Sequence, residues 1–251
     1  MQLTEAQREQ LADQGFIRIP GVIPRERVDA ALRAINGSIG ERGLPPDDLP
    51  VLRARSYCPE LQREPVITDL FEATPFRSLA ESVIGAGKVA PVSAGQIALR
   101  FPAPGPEREP HAHLDGMYTP TNGVKEGTIG NFTALGGVLL SDLPEPYWGN
   151  LAVWPGSHLR NARWFRERGP RSLLDGMPQV EMPRPTHLTG QAGDVVLCHY
   201  LVAHGIAGNH GPNVRYAIYF RLNHVDHERT KWESMTDPWL EWEGMERFRV
   251  A

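Results

Sequence analysis

The sequence predicts a mainly β fold with flanking helices, and three observations support this prediction. In residues 1–88 apolar side chains recur at helical spacing, whereas residues 89–225 contain short runs typical of strands. The chain has 25 glycines and 23 prolines, which suits the many turns of a β core. Its 251 residues are enough for one domain with a sizeable core. We therefore expect a single domain, residues 1–251, with a helical layer, a β core and a C-terminal extension at 226–251.

The first predicted elements are a helix and a short strand. Thr4 and Gln7 have the spacing of a capping box, in which Thr4 caps the helix and Gln7 reaches back to it. Gly15 is well placed to end this helix. Residues 16–20 then alternate apolar and polar side chains, as a strand does.

Two further helices are predicted before the β core. Pro24 suits the first turn of a helix, and Gly37 is expected to end it. The stretch 43–50 is rich in proline and aspartate, which predicts a loop. Residues 67–84 have apolar side chains at helical spacing, and Gly85 is expected to end that helix.

The β core is predicted as short strands separated by turns that contain glycine or proline. The six predicted strands are residues 89–92, 96–101, 132–140, 151–154, 194–198 and 215–222. Two longer stretches, 116–130 and 159–187, show no regular pattern. Because long loops inside a domain usually serve function, we expect both stretches to shape a binding pocket.

The charge pattern and the cysteines limit the class of protein. The net charge is −4 and both signs are interspersed, so we expect no nucleic-acid partner. No apolar run approaches the roughly 20 residues that span a bilayer, and the N-terminus lacks the layout of a signal peptide. Cys58 and Cys198 form no CxxC pair, which favours reduced thiols in a cytoplasmic protein over a disulfide.

Two histidines and an aspartate form a candidate metal site. His113 and Asp115 lie two residues apart, so both side chains face one side of an extended segment. His204 follows a predicted strand and can supply a third ligand. Two imidazoles and one carboxylate form the facial triad of non-haem Fe(II) oxygenases, which leaves positions free for substrate and O₂. His111 shares the face of His113 and competes with it for the ligand role.

An arginine after the last histidine extends the pattern. Arg215 lies 11 residues after His204, about one hairpin away. Its permanent charge and planar guanidinium suit the buried carboxylate of a co-substrate such as 2-oxoglutarate. Alone, a His-x-Asp pair is more often a hydrogen-bonded histidine near an acidic turn, and a lone arginine is more often in a surface ion pair. Their conjunction favours a metal site, with Arg100 as the alternative cation.

The residues resemble the phytanoyl-CoA dioxygenase family of Fe(II)- and 2-oxoglutarate-dependent oxygenases over most of the chain. The segments that carry the resemblance are the N-terminal helix and strand, His113-Leu114-Asp115, Gly149-Asn150-Leu151-Ala152-Val153-Trp154-Pro155-Gly156-Ser157-His158, Gly193-Asp194-Val195-Val196, and His204-Gly205 with Asn209 and Arg215. The resemblance implies a double-stranded β-helix, a jelly roll of the cupin kind, for residues 89–225.

The resemblance also implies roles for single residues. His113, Asp115 and His204 are implied as iron ligands and hence as the catalytic centre. Arg215 is implied to bind the distal carboxylate of 2-oxoglutarate. Gln96 lies where related hydroxylases place a glutamine near the co-substrate.

Three positions qualify the resemblance. Ile206 stands where the family often has serine, so a hydroxyl contact to the co-substrate is either missing or supplied elsewhere, and Thr133 is the candidate for supplying it. Halogenase relatives replace the acidic ligand with glycine or alanine, whereas this chain keeps Asp115, which disfavours halogenation. His158 is expected to pack in the interior rather than to bind metal.

We therefore expect a dioxygenase that uses Fe(II), 2-oxoglutarate and O₂ to hydroxylate an unactivated C–H bond of a small-molecule metabolite, with succinate and CO₂ as co-products. A cupin-type metal isomerase or a 2-oxoglutarate-independent dioxygenase is the alternative, but neither needs Arg215. A third hypothesis is a non-catalytic jelly-roll binding module, and the complete His-Asp-His set argues against it. The sequence leaves the substrate and the oligomeric state open.

Overall fold

The computed structural model describes residues 1–107 and 109–249. Within these residues the helices are α1 (Glu5–Gln14), α2 (Arg25–Arg42), α3 (Leu49–Ala54), α4 (Pro65–Glu72), α5 (Pro75–Ile84), α6 (Ser157–Arg168) and α7 (His227–Thr230). The strands are β1 (Phe16–Ile19), β2 (Gln96–Arg100), β3 (Ala134–Leu139), β4 (Leu151–Val153), β5 (Thr186–His187), β6 (Val195–His199), β7 (His204–Ile206) and β8 (Arg215–Leu222). Short 3₁₀ turns lie at Pro46–Asp48, Pro170–Asp175, Glu233–Met235 and Glu243–Phe248.

The strands form two antiparallel sheets. The larger sheet has the order β1-β6-β3-β8-β2, and the smaller has the order β5-β4-β7. Gln96 of β2 lies opposite Tyr219 of β8, and Arg100 lies opposite Arg215. Because side chains alternate along a strand, these four side chains share one face of the larger sheet.

The two faces of the larger sheet have different neighbours. On one face, Phe220 of β8 packs against Phe71 of α4, with ring centroids 5.8 Å apart. On the other face, Tyr219 belongs to a second hydrophobic cluster that includes Leu151 of β4. Helix α4 therefore packs on one face, and β4 of the smaller sheet packs on the face that carries the predicted site residues.

The N-terminal helices differ from the prediction in two places. Helix α2 continues past Gly37 and ends at Gly43, whose φ is 71°. Gly37 is exposed, and a glycine inside a helix costs only about 1 kcal/mol, so it does not end this one. The predicted helix 67–84 is two helices, because Thr74 caps a new helix and Pro75 begins it without an amide hydrogen.

Other segments also depart from the prediction. Residues 89–92 form an isolated bridge from Val89 to His224 rather than a strand. The stretch 159–187 is largely regular, because α6 and a 3₁₀ turn occupy it. Strands β5 and β7 have two and three residues, and such short strands leave no alternation to detect. The predicted loop 43–50 includes the start of α3.

The prediction of a mainly β chain is not confirmed, because more of the described residues lie in α-helices than in strands. The C-terminal segment packs on the rest of the protein: Trp239, Trp242 and Met245 are buried in the same cluster as residues of the N-terminal helices. None of the described helices has the length and apolarity needed to cross a membrane.

Candidate metal centre

His113 and His204 meet across two paired segments. They form an isolated antiparallel bridge at the end of β7. The His113 amide donates to the His204 carbonyl at 2.9 Å, and the His204 amide donates back at 3.0 Å. The ring centroids are 4.6 Å apart. Backbone hydrogen bonds therefore fix the relative position of two imidazoles whose residues lie far apart in the sequence.

Asp115 completes the cluster that the sequence predicts. Its Oδ1 atom is 3.6 Å from His113 Nε2 and 3.7 Å from His204 Nε2. One ligand atom from each of the three side chains lies within 4.8 Å of the other two. His204 is buried and His113 is half-exposed, so the cluster lies between the interior and an opening.

The other ring nitrogen of each histidine faces a backbone carbonyl. His204 Nδ1 is 3.1 Å from the Val202 oxygen, and His113 Nδ1 is 3.4 Å from the His111 oxygen. A proton on Nδ1 leaves the lone pair on Nε2, the nitrogen that faces Asp115. The His111 side chain is exposed and lies outside the cluster, so the structure brings His113 and not His111 together with Asp115 and His204.

Arg221 holds the second oxygen of Asp115, and the sequence did not predict it. Arg221 Nη2 donates to Asp115 Oδ2 at 2.8 Å, and Arg221 Nη1 donates to Gln96 Oε1 at 3.1 Å. Burial alone would raise the pKa of Asp115, but Arg221 and both histidines outweigh it and hold that pKa well below its usual value. One feature of the sequence could have indicated it: Arg221 lies six residues after Arg215 in β8, and an even spacing in a strand places both side chains on the same face.

Arg215 is buried without a carboxylate partner. Its side chain is 2% exposed. Its Nε donates to the Gly149 carbonyl at 2.7 Å and its Nη1 donates to the Ala98 carbonyl at 2.9 Å. Burial lowers its pKa. No Asp or Glu of the described residues forms an ion pair with Arg215, so a buried charge remains for an anion to neutralise.

Gly149 allows Arg100 and Arg215 to lie side by side. A Cβ atom on Gly149 would lie 3.0 Å from Arg100 Cβ and 3.1 Å from Arg215 Cβ, and its φ of +77° also favours glycine. Burial lowers the pKa of Arg100, and the charge of Arg53 lowers it further. Arg100 and Arg53, like Arg215, form no ion pair within the part of the chain that the structure describes.

A cavity of about 400 Å³ joins these groups. Both stretches that were expected to shape a pocket line it: 116–130 through Met117, Tyr118, Thr119 and Asn122, and 159–187 through Met177. Four arginines line it, which are Arg53, Arg100, Arg215 and Arg221. Asp115 is the one carboxylate among its described lining residues, so the cavity has an excess of positive charge.

The structure does not bring Thr133 into this cavity. The Thr133 hydroxyl donates to Glu241 and accepts from the His224 amide at 2.7 Å, and Thr133 is not a lining residue. The structure does not support the expected contact of Thr133 with the co-substrate, because the Thr133 hydroxyl is hydrogen-bonded to the buried carboxylate of Glu241 in the C-terminal segment. His158 is fully buried and lies outside the cluster, as the sequence predicted.

Comparison with protein families matches residues 11–217 to the family described as phytanoyl-CoA dioxygenase. No curated protein sequence matches the chain. Among solved structures, the chain is similar to the non-haem α-ketoglutarate-dependent carbocyclase SnoK from nogalamycin biosynthesis. That similarity has a TM-score of 0.58 and 18% identity, and covers 91% of this chain and 90% of SnoK.

Two other solved structures have the same degree of similarity. HygX from Streptomyces hygroscopicus, with nickel and 2-oxoglutarate bound, has a TM-score of 0.58 and 20% identity, over 90% of this chain and 88% of HygX. EctD from S. alaskensis, with 2-oxoglutarate and 5-hydroxyectoine, has a TM-score of 0.58 and 20% identity, over 89% of this chain and 77% of EctD. At this identity the likeness concerns the fold.

Proposed function

The chain belongs to the phytanoyl-CoA dioxygenase family, and on that premise we propose that it hydroxylates an unactivated C–H bond of a small-molecule metabolite. Its class is that of Fe(II)- and 2-oxoglutarate-dependent dioxygenases. Succinate and CO₂ are the co-products of this reaction. The presence of aspartate at position 115, rather than alanine or glycine, favours hydroxylation over halogenation.

The iron is held, in this proposal, by His113, Asp115 and His204. The observation that supports the assignment is that one ligand atom from each side chain lies within 4.8 Å of the other two, with Asp115 Oδ1 3.6 Å and 3.7 Å from the two Nε2 atoms. Both imidazoles have Nδ1 turned to a carbonyl, and the donor set suits Fe(II). Iron bound there with 2-oxoglutarate and O₂ supplies the oxidising chemistry, whereas the protein orients the substrate and limits access of water.

Arg215 binds the distal carboxylate of 2-oxoglutarate in this proposal. It lines the same cavity as the His-Asp-His cluster. Its buried charge forms no ion pair with a carboxylate of the described residues, so the carboxylate of 2-oxoglutarate can neutralise it. A cupin-type isomerase or an oxygenase that does not use 2-oxoglutarate has no use for such a cation. Gln96 also lines the cavity, but its Oε1 accepts from Arg221, so only its amide nitrogen is left to meet a co-substrate.

The substrate in this proposal is an organic anion with an apolar body. After Arg215 is assigned to 2-oxoglutarate and Arg221 to Asp115, Arg53 and Arg100 remain at the cavity without an ion-pair partner in the described chain. A carboxylate, phosphate or sulfate would satisfy them. Met117 and Met177 on the two loops offer adaptable apolar contacts to the rest of the molecule.

We also propose the finer features of the fold that the sequence suggested. The two facing antiparallel sheets support a double-stranded β-helix within residues 89–225, and the packing of α4 on β8 supports a helical layer formed by residues 1–88. The shared burial of Trp242 with the N-terminal helices supports one domain. Two buried free thiols, Cys58 and Cys198, support a reducing, cytoplasmic location.

The experiment that tests this function measures succinate release. Purified protein is given Fe(II), 2-oxoglutarate, ascorbate and air, together with matched pairs of organic acids and their amides. We expect succinate formation that acids stimulate more than amides, that needs Fe(II), and that His204→Ala abolishes. Succinate formation that is equal in His204→Ala would contradict the iron assignment, and preference for the amides would contradict the anionic substrate.

A further inference from the structure

Arg221 is fixed by three contacts at the edge of the cluster. Its two terminal nitrogens bind Asp115 and Gln96 at 2.8 Å and 3.1 Å, and its guanidinium carbon lies 5.7 Å from the centre of the Phe132 ring. The side chain as a whole is 42% exposed. A surface arginine with a single ionic contact would gain little from that contact, but here a glutamine and an aromatic ring orient the guanidinium as well.

The two oxygens of Asp115 have different partners. Oδ1 faces the Nε2 atoms of His113 and His204 at 3.6 Å and 3.7 Å, whereas Oδ2 accepts the hydrogen bond from Arg221. A carboxylate can bind a cation through one oxygen or through two. Arg221 therefore leaves one oxygen of Asp115 directed at the histidines.

We infer that Arg221 is a positioning residue that restricts Asp115 to ligation through Oδ1 and so preserves ligand positions for 2-oxoglutarate. This inference rests on the proposed function, because it takes Asp115 as an iron ligand. Gln96, which the sequence placed beside the co-substrate, acts in this account by orienting Arg221. The positive charge of Arg221 also opposes the charge of a bound divalent cation and attracts the dianionic co-substrate.

Removal of Arg221 should change the affinity for the metal and the affinity for 2-oxoglutarate in opposite directions. Without Arg221, both oxygens of Asp115 are available to a divalent cation and a nearby positive charge is gone. We expect removal of this charge to tighten metal binding about tenfold, since unit charges a few ångströms apart at a protein surface interact strongly. The same change lets the second oxygen of Asp115 occupy a ligand position and removes a positive charge that attracts the dianionic co-substrate, so it should weaken 2-oxoglutarate binding about tenfold.

The test uses Co(II), titrated anaerobically into the metal-free protein and followed by its visible absorption, and then 2-oxoglutarate titrated into the Co(II)-loaded protein. Arg221→Met is the main variant. Arg221→Lys keeps a charge but has no planar pair of donors, and we expect both of its affinities to lie between those of the parent and Arg221→Met. Arg168→Met is the matched control, because Arg168 also lies over an aromatic ring, that of Trp164 at 5.1 Å, but neither lines the cavity nor contacts Asp115. Both affinities of this variant should stay within about twofold of the parent.

The inference predicts that Arg221→Met binds Co(II) more tightly and 2-oxoglutarate more weakly, with a changed Co(II) spectrum. An arginine with only a structural role would weaken both ligands together, and that result would overturn the inference, as would affinities within about twofold of the parent. If Arg221→Met fails to fold, Gln96→Leu removes the orienting contact instead and should shift both affinities in the same directions. A parent protein that binds no Co(II) would instead refute the proposed function itself.

Discussion

Arg215 is the residue whose role can be separated most clearly from that of the metal ligands. We expect Arg215→Gln to weaken 2-oxoglutarate binding by roughly ten- to a hundredfold, because a charge-assisted hydrogen bond contributes about 1.5–3 kcal/mol. Metal affinity should stay within about twofold, since Arg215 contacts no member of the cluster. Calorimetric titration of Co(II) and then of 2-oxoglutarate measures both.

Arg100→Gln is the matched comparison for Arg215→Gln, because the two arginines lie opposite each other in neighbouring strands. If Arg100→Gln causes the larger loss of 2-oxoglutarate affinity and Arg215→Gln causes none, the distal carboxylate belongs to Arg100. The assignment of Arg100 to the substrate would then fail as well.

His111 and His113 give a second test at the scale of single residues. His111→Ala should retain metal binding and turnover, because His111 contributes only its backbone carbonyl to the site and alanine keeps that carbonyl. His113→Ala should lose both, since the cluster has no spare imidazole. Metal content after dialysis and succinate release measure the two properties. The opposite result, an inactive His111→Ala that binds no metal, would exchange the two roles.

For single residues, the sequence predicted the contacts between near neighbours in the chain but not those between distant residues. His113 and Asp115 were predictable because side chains two apart in an extended segment share a face. Arg221 was not, because nothing near it in the sequence indicates that its partner is Asp115, which is 106 residues away. The position of Thr133 outside the cavity was not predictable for the same reason, because its hydroxyl donates to Glu241, which lies 108 residues further along the chain.

In the loop of residues 116–130, one hydrogen bond joins the two ends and another joins the tip to Arg55. The Gly130 amide donates to the Gly116 carbonyl at 3.0 Å. A Cβ atom on Gly116 would lie 2.5 Å from the Gly130 oxygen, so the close approach requires glycine. At the tip, Arg55 Nε donates to the Thr121 carbonyl at 3.0 Å. The base can thus serve as a fixed hinge while one side-chain contact holds the tip over the cavity.

We predict that this loop opens and closes over the cavity. Hydrogen exchange of amides 117–129 should slow when Mn(II) and 2-oxoglutarate bind, because the tip lies over the site that they occupy. In Arg55→Ala, exchange at the tip should be faster without ligands, since the contact with Thr121 is lost. Amides of β8 serve as the internal control. Equal and strong protection with and without ligands would mean that the loop is a fixed wall.

At the element scale, the sequence predicted the longer strands and the N-terminal cap correctly. The capping box at Thr4 and Gln7 is present, because both of its hydrogen bonds are local. Element ends set by tertiary contacts were less predictable. Gly37 does not stop α2, and β7, which carries His204, is recognisable only from its pairing with β4 and with His113.

Two buried histidines should control the acid stability of the whole molecule. His158 and His199 pack against Trp239, and His199 also stacks on Trp242 with ring centroids 5.3 Å apart. Burial lowers the pKa of His158 to about 3 and that of His199 to about 4. The folded protein therefore keeps both rings neutral at pH values where the unfolded chain protonates them.

The sign of the effect follows from these lowered pKa values. As pH falls below about 6.5, the unfolded state binds protons that the folded state does not, so the free energy of unfolding decreases until the folded pKa values are reached. Each histidine contributes a slope of up to about 1.4 kcal/mol per pH unit. Urea unfolding from pH 8 to pH 5 measures the slope, and His158→Gln with His199→Gln should flatten it.

The exposed His111→Ala is the control for that experiment and should keep the parent slope. A free energy of unfolding that does not change between pH 8 and pH 5 in the parent would contradict the account. For the molecule as a whole, the sequence predicted a β core accompanied by helices. It overestimated the share of strands, because residues 89–92 form only an isolated bridge and α6 lies within the stretch 159–187.

In the proposed function, His113, Asp115 and His204 hold an iron ion to which 2-oxoglutarate binds. The most direct measurement is the visible absorption spectrum of the anaerobic protein with Fe(II), before and after 2-oxoglutarate is added. We expect a weak band that needs both additions and that is absent in Asp115→Ala, while circular dichroism shows that the variant is folded. A parent protein without this band, or an Asp115→Ala variant with an unchanged band, would contradict the claim.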